Sequence, residues 1–305
     1  MTAYLIKRLL LAIPVLLVTS LLVFLALHLS PGDPVDVIAG PLAPQAVRDR
    51  IRTQLGLDKP LPIQFIIYMS NVARGDLGDS ILNHRPVREM IAAKLPITAE
   101  LGLAAFALTY LLAIPLGVIA ALNRNSFSDW FTMILALIGV SMPGFWLALI
   151  LIYTFAVYLR WLPPTGYAGL KYLILPALAL GLPRVGQVAR ITRSSMLEVV
   201  GQDYMRTARA KGLAEWVVVV RHALRNALIP VISLVGLDLG YIIGGAVVIE
   251  SIFARTGIGD MMVRAIYSRD FPVLQGCMFV LTVAIILGNI IADICYVIID
   301  PRIRH

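Results

Sequence analysis

Two charged residues stand where an apolar chain should carry none. Arg184, with Arg190 nearer its end, interrupts an apolar stretch at about 172–193, and Asp238 interrupts another at about 227–249. Arg184 lies 12 residues past Tyr172, and Asp238 lies 11 past Ala227. At about 1.5 Å per helical residue each is roughly 16–18 Å into its segment, near the middle of a bilayer. A charge at that depth costs about 2.5–3.5 kcal/mol on insertion scales, so each needs a partner or a wet cavity. Three arrangements satisfy this. The two residues form an ion pair, or a shifted helix brings Arg184 toward the cytoplasmic interface, or they line a pore and meet the charged ends of a zwitterionic solute. Arg184 and Asp238 are therefore the candidate translocation-path residues.

Other chemistry is hard to find. The sequence has no GxxxxGK[ST] to cradle a nucleotide phosphate, no HExxH and no GxSxG. The glycines of GYIIGG (240–245) fall in an apolar helix, where they serve packing. The four histidines, His28, His84, His222 and His305, are scattered, and Asp238 and Asp293 belong to different segments, which disfavours a carboxylate pair. Cys277 and Cys295 are 18 residues apart in one helical segment, about 27 Å along its axis, too far to bridge. No metal-ligand spacing surrounds them. No catalytic residue and no metal site is predicted.

The most unusual polar stretch is DYMRTARAKGLAEWVVVVRHALRNALIP (203–230). It is too charged for a bilayer interior and too regular for a slack loop. Asp203 is placed to cap a short helix, and Gly212 to end it in a left-handed C-cap. Ala208 and Ala210 keep that helix thin, while Arg206, Arg209 and Lys211 give it a positive face. A short thin helix held between two apolar segments is suited to insertion into a cleft of another protein.

The elements that position these residues are membrane spans. The 305 residues are 59% hydrophobic and 14% charged, with a mean hydropathy of +0.85, which excludes an ordinary soluble domain. Uncharged runs at 9–32, 101–123, 130–159 and 271–292 are each long enough for a hydrocarbon core of about 30 Å. With the two interrupted stretches they predict six transmembrane helices in an all-α polytopic protein. The first run is too long for a signal peptide and is read as a retained helix. The net charge of +8 is a topology signal rather than a mark of nucleic acid. With the N-terminus inside, short cytoplasmic parts hold 13 Lys and Arg against 5 in the two short outer loops, so both termini and the basic loop are expected in the cytoplasm. The predicted organisation is 1–29 (N-terminus and helix 1), 30–96 (an external helical segment), 97–298 (a five-helix core with the loop 195–225) and 299–305 (a tail). Within 30–96, SPGDP (30–34) is a break. PQAVRDRIRTQLGLD is an amphipathic helix with Val47, Ile51 and Leu55 on one side, and LPIQFIIYMSNVA is an interfacial segment. GDLGDS (75–80) is a turn, and RPVREMIAAKLP is a third short helix leading to helix 2. SMPGFW (141–146) lies within helix 3 and permits a bend.

RTARAKG, followed by nine residues and His222-Ala223-Leu224, resembles the EAA loop of ABC importer permeases, the coupling helix that docks on the ATPase subunit. Ala208, Gly212 and Leu224 match the general pattern strictly. TARAKG and RHALRNALIP are similar to the variant found in the dipeptide/oligopeptide/nickel (glutathione-type) branch. LSPGDPV, QLGLDKPLPIQF, GDLGDSI, VIESIF, GIG and IDP extend the resemblance over nearly the whole chain, to the permease with the long first external segment. The resemblance implies a type I importer permease fold. Tyr204, Arg206, Thr207, Ala208, Arg209, Ala210, Lys211, Gly212 and Leu213 would couple to an ATPase. It also implies a homologous second permease, two cytoplasmic ATPases that carry ATP and Mg (none in this chain), and an external substrate-binding protein. Transport of di- or oligopeptides across the bacterial inner membrane by alternating access would follow, with glutathione, a nickel chelate or an opine-like solute as alternatives. An ion-coupled secondary transporter would instead show internal repeats and a midplane carboxylate site, and no repeat is visible.

Overall fold

The computed structural model describes residues 2–29, 35, 39–40, 43–54 and 56–299. The SPGDP break, Leu55 of the amphipathic stripe and the tail after Ile299 lie outside the described residues. Among those described, every regular element is a helix, and the only extended pairing is an isolated bridge between Asp79 and Pro86.

Eleven helices are named here: α1 Thr2–Leu29, α2 Gln45–Gln54, α3 Leu61–Ala73, α4 Val87–Leu122, α5 Phe127–Ser141, α6 Gly144–Tyr158, α7 Lys171–Val200, α8 Asp203–Ala210, α9 Glu215–Ile252, α10 Ile258–Ser268 and α11 Phe271–Ile299. Among the described residues α1, α4, α7, α9 and α11 each have the length and apolarity to cross a membrane alone, and α5 with α6 makes a sixth span if counted together.

That sixth span is bent at SMPGFW, the element expected to permit a bend within 130–159. The chain turns by 106° between α5 and α6. Pro143 has no N–H to continue the ladder, and a residue before proline is pushed out of helical conformation. Met142 accordingly adopts φ −88 and ψ 124. A correction concerns RPVREMIAAKLP. It is no separate short helix, because α4 runs 36 residues from Val87 through Pro96. One missing N–H is the local cost, and the helix absorbs it.

The chain divides into two compact units. The first comprises Ala99–Arg255 and the chain from Ile285 onward. Its centre is α7, 67% buried over its most apolar window, against 11–28% for the other long spans. Leu173, Leu175, Ala177, Ala179 and Leu180 of α7 pack with Leu101 and Ala105 of α4, Ala148 and Leu151 of α6, Ile242, Ala246 and Ile249 of α9, and Phe253 just past its end. Small residues let the backbones approach: a Cβ at Gly186 would collide with the Ala136 backbone, and one at Gly117 with Ala189 and Thr192. Fully buried Arg255 donates from Nη2 to Glu100 Oε2 (2.9 Å) and from Nη1 to the Tyr172 carbonyl (3.3 Å).

The second unit comprises Thr2–Thr98 and Thr256–Ala284. Here the segment after α1 packs through a few specific contacts. Phe24 of α1 meets Phe65 of α3 edge-on at 5.4 Å. Buried Asp270, between α10 and α11, accepts from Ser80 Oγ (2.5 Å) and from the Ile81 N–H (3.1 Å). Ile258 N–H donates to Thr98 Oγ1 (2.8 Å) and fixes the start of α10.

Candidate coupling surface and intramembrane charge cluster

The helix anticipated near Asp203 is α8, Asp203–Ala210. Its cap differs from expectation. Gln202 is the N-cap (φ −75, ψ 151) with no side-chain cap bond, and Asp203 lies in the first turn. There it favours the positive end of the helix without closing it. The C-terminal end follows the sequence reading. Gly212 has φ +77, and its N–H donates to the Arg209 carbonyl at 2.9 Å. Space around Gly212 is open, so only the left-handed backbone restricts this position.

Two α8 side chains face inward. Met205 (0% exposed) and Ala208 (6%) pack with Ala121, Met196, Val218, Val219, Ala223 and Ala227. This corrects the reason offered for Ala208. Its small size serves packing within its own chain, whereas Ala210 is exposed. Arg206, Thr207, Arg209, Lys211, Gly212, Tyr204 and Leu213 are also exposed, and Trp216, 71% exposed, continues the surface into α9. Arg209 donates to Glu215 through Nη2 (2.8 Å) and Nε (3.1 Å to the second oxygen), clipping the α8–α9 turn shut. That bond holds the Arg209 pKa above the ordinary arginine value, so its charge is permanent at any physiological pH. Asn226 Nδ2 donates to the Tyr204 hydroxyl (3.1 Å). Sequence reasoning missed Met205, Glu215 and Trp216. The apolar positions Met205 and Ala208, three apart, were the available signal.

Arg184 and Asp238 do meet. Arg184 donates from Nε (2.7 Å) and Nη2 to Asp238 Oδ1, and the Tyr110 hydroxyl donates to Oδ2 (2.7 Å). Arg184 Nη1 donates to Gln187 Oε1 (2.7 Å), and the guanidinium carbon lies 4.9 Å from the Tyr241 ring centroid. Asp238 is fully buried and the Arg184 side chain 14% exposed. The ion pair is present, joining α7 to α9 with α4 supplying Tyr110.

A second pair was not foreseen. Arg193 of α7 grips Asp129 of α5 through Nε–Oδ1 (2.5 Å) and Nη2–Oδ2 (2.6 Å), and the Asn125 N–H adds a bond at 3.0 Å. Such bidentate geometry is the strong form of the interaction. Among the described residues no group of His, Cys, Asp and Glu could hold a metal ion.

The geometry is that of a helical membrane bundle with one exposed basic helix attached to a polar turn. Residues 113–305 match the family described as binding-protein-dependent transport system inner membrane component, and residues 1–102 match its N-terminal counterpart. The chain belongs to this family. It is a transport permease of the dipeptide/oligopeptide/glutathione type, a multi-pass inner-membrane protein and the permeating rather than catalytic part of its system. The permease is 47% identical over 313 residues to a peptide transport system permease protein of Brucella abortus (strain 2308), covering all of both chains. It is 46% identical over 313 residues, again over all of both, to a peptide transport system permease protein of Brucella suis biovar 1 (strain 1330). To the glutathione transport system permease protein GsiC of Escherichia coli (strain K12) it is 43% identical over 305 residues, all of both chains.

Proposed function

We propose that the permease imports small peptides, or a peptide-like solute such as glutathione, by alternating access driven by two cytoplasmic ATPases that dock on α8 and the turn to Trp216. The observation that carries this reading is the exposed face of α8. Its basic and aromatic side chains are displayed by a helix whose other face is locked into the bundle by Met205 and Ala208. A helix anchored that way transmits a push to the spans on either side of it. The full-length likeness to permeases described for peptides and for glutathione supports the substrate class.

In this reading ATP and Mg are bound by the ATPases. A homologous second permease completes the pore, and an external binding protein delivers the solute. The Lys and Arg distribution supports cytoplasmic termini. Arg184 and Asp238 flank the path, and the solute's charged ends exchange with the pair during transit. The test is reconstitution of the permease with its partners in proteoliposomes. Peptide uptake should require ATP and the binding protein and be indifferent to an imposed ion gradient. Uptake driven by that gradient without ATP would overturn the proposal.

A further inference from the structure

The unit formed by Thr2–Thr98 and Thr256–Ala284 carries an open cavity of about 440 Å3 that includes neither the α8 surface nor the Arg184–Asp238 cluster. That volume is within the roughly 300–1,000 Å3 of small-molecule sites. Gln275 of α11 lines it and is only 9% exposed. Its amide bonds to no other described residue, and Gln275 also lines a smaller crevice together with Tyr68. A buried, unpaired primary amide is unfavourable unless a ligand or water completes it.

Two half-buried residues of α3 also lack side-chain hydrogen-bond partners. Tyr68 and Asn71 line the cavity, and their side chains make no hydrogen bond to a described residue. Burial pushes the Tyr68 phenol up to about 12, so the hydroxyl keeps its proton and can donate. Their neighbours are already engaged. Gln64 Nε2 donates to the Lys59 carbonyl (2.8 Å), and its Oε1 meets His28 Nε2 at 3.1 Å. The other imidazole nitrogen bonds the Phe24 carbonyl (2.8 Å). These bonds hold a wall rather than await a ligand, and the rings of Phe24 and Phe271, 4.0 and 6.2 Å from the imidazole, add apolar faces to it. Two opposite charges, Lys59 and Asp76, complete the lining, and both are exposed. Asp76 uses Oδ1 for the Gly78 N–H (2.8 Å), leaving Oδ2 open.

We propose that this cavity is a second solute site, for a small zwitterionic peptide. Lys59 takes the terminal carboxylate and Asp76 the terminal ammonium, while the Gln275, Asn71 and Tyr68 groups bond the peptide unit between them. One cation, one anion and unpaired groups able both to donate and to accept match that ligand. An anionic headgroup without an ammonium would leave Asp76 facing like charge, whereas a zwitterionic headgroup competes with the peptide for the same two charges.

The test is calorimetric titration of the full-length chain in nanodiscs, without ATPases, using alanylphenylalanine. Binding is thus scored independently of ATP-driven uptake, and of the function proposed above. Saturable binding should weaken about tenfold in Tyr68→Phe and in Gln275→Leu, the size of one lost hydrogen bond. Tyr68→Phe removes a single oxygen and serves if Gln275→Leu fails to assemble. Lys59→Gln should weaken the dipeptide but leave its C-terminally amidated form at the wild-type affinity for that form. Arg160→Gln, outside the cavity, should bind as wild type. Absence of binding at millimolar dipeptide, or wild-type affinity in both Tyr68→Phe and Gln275→Leu, would overturn the proposal. Displacement of the dipeptide by glycerophosphoethanolamine at lower concentration would also overturn it and make the cavity a lipid site.

Discussion

Asp238 is fully buried and its two carboxylate oxygens have different partners, Arg184 on one and Tyr110 on the other. Removing one member of such a pair strands a charge and costs about 3–5 kcal/mol, whereas removing both charges costs far less. Arg184→Gln should therefore lower thermal stability in detergent more than Arg184→Gln with Asp238→Asn. Additive losses in the double variant would show that the pair is not energetically coupled. The pair was legible because depth along each apolar stretch follows from counting residues, and two charges at one depth seek each other. Tyr110 and Gln187 were not legible as partners, since neither carries a charge that marks it within a span. Asp129 escaped notice for another reason. It borders an uncharged run, where an interfacial carboxylate needs no explanation until Arg193 is seen on it.

At the scale of elements, α8 is where local pattern and tertiary packing divide. The positive φ of Gly212 could be anticipated from its place after RTARAK, because glycine is the residue that ends helices there. The inward turn of Ala208 could not, because thinness suits both a partner's cleft and a crowded core. The two alanines now make a controlled comparison. Ala208→Trp overfills a buried site and should destabilise the chain by at least about 1–3 kcal/mol, read as a lower unfolding temperature. Ala210→Trp adds its bulk to the exposed face and should leave that temperature within about a degree. Equal destabilisation by both would contradict the packing of α8. Gly212→Val should cost about 1–2 kcal/mol from the left-handed backbone alone, since nothing crowds the site. The bent pair α5–α6 marks the other limit of sequence reading. Hydropathy counts 130–159 as one span, and only the backbone rule at Met142–Pro143 says where it turns.

For the whole molecule, the spans were written in composition, but their grouping was not. The pairing of residues 2–98 with 256–284 as one compact unit depends on contacts such as Ser80–Asp270 and Thr98–Ile258. An apolar stripe does not say which neighbour it packs against. Family membership supplies the function that geometry alone leaves general: the chain is the permeating, non-catalytic part of a transport system. The central claim is that force enters this permease through the exposed face of α8. Its most direct test is the number of peptides taken up per ATP hydrolysed, in proteoliposomes containing the assembled transporter with either wild-type permease or Ala210→Trp. The account predicts that Ala210→Trp assembles and that the complex still hydrolyses ATP, while peptide uptake per ATP falls at least about tenfold, as expected for about 1.4 kcal/mol of lost coupling. An unchanged ratio in a fully assembled Ala210→Trp complex would contradict it.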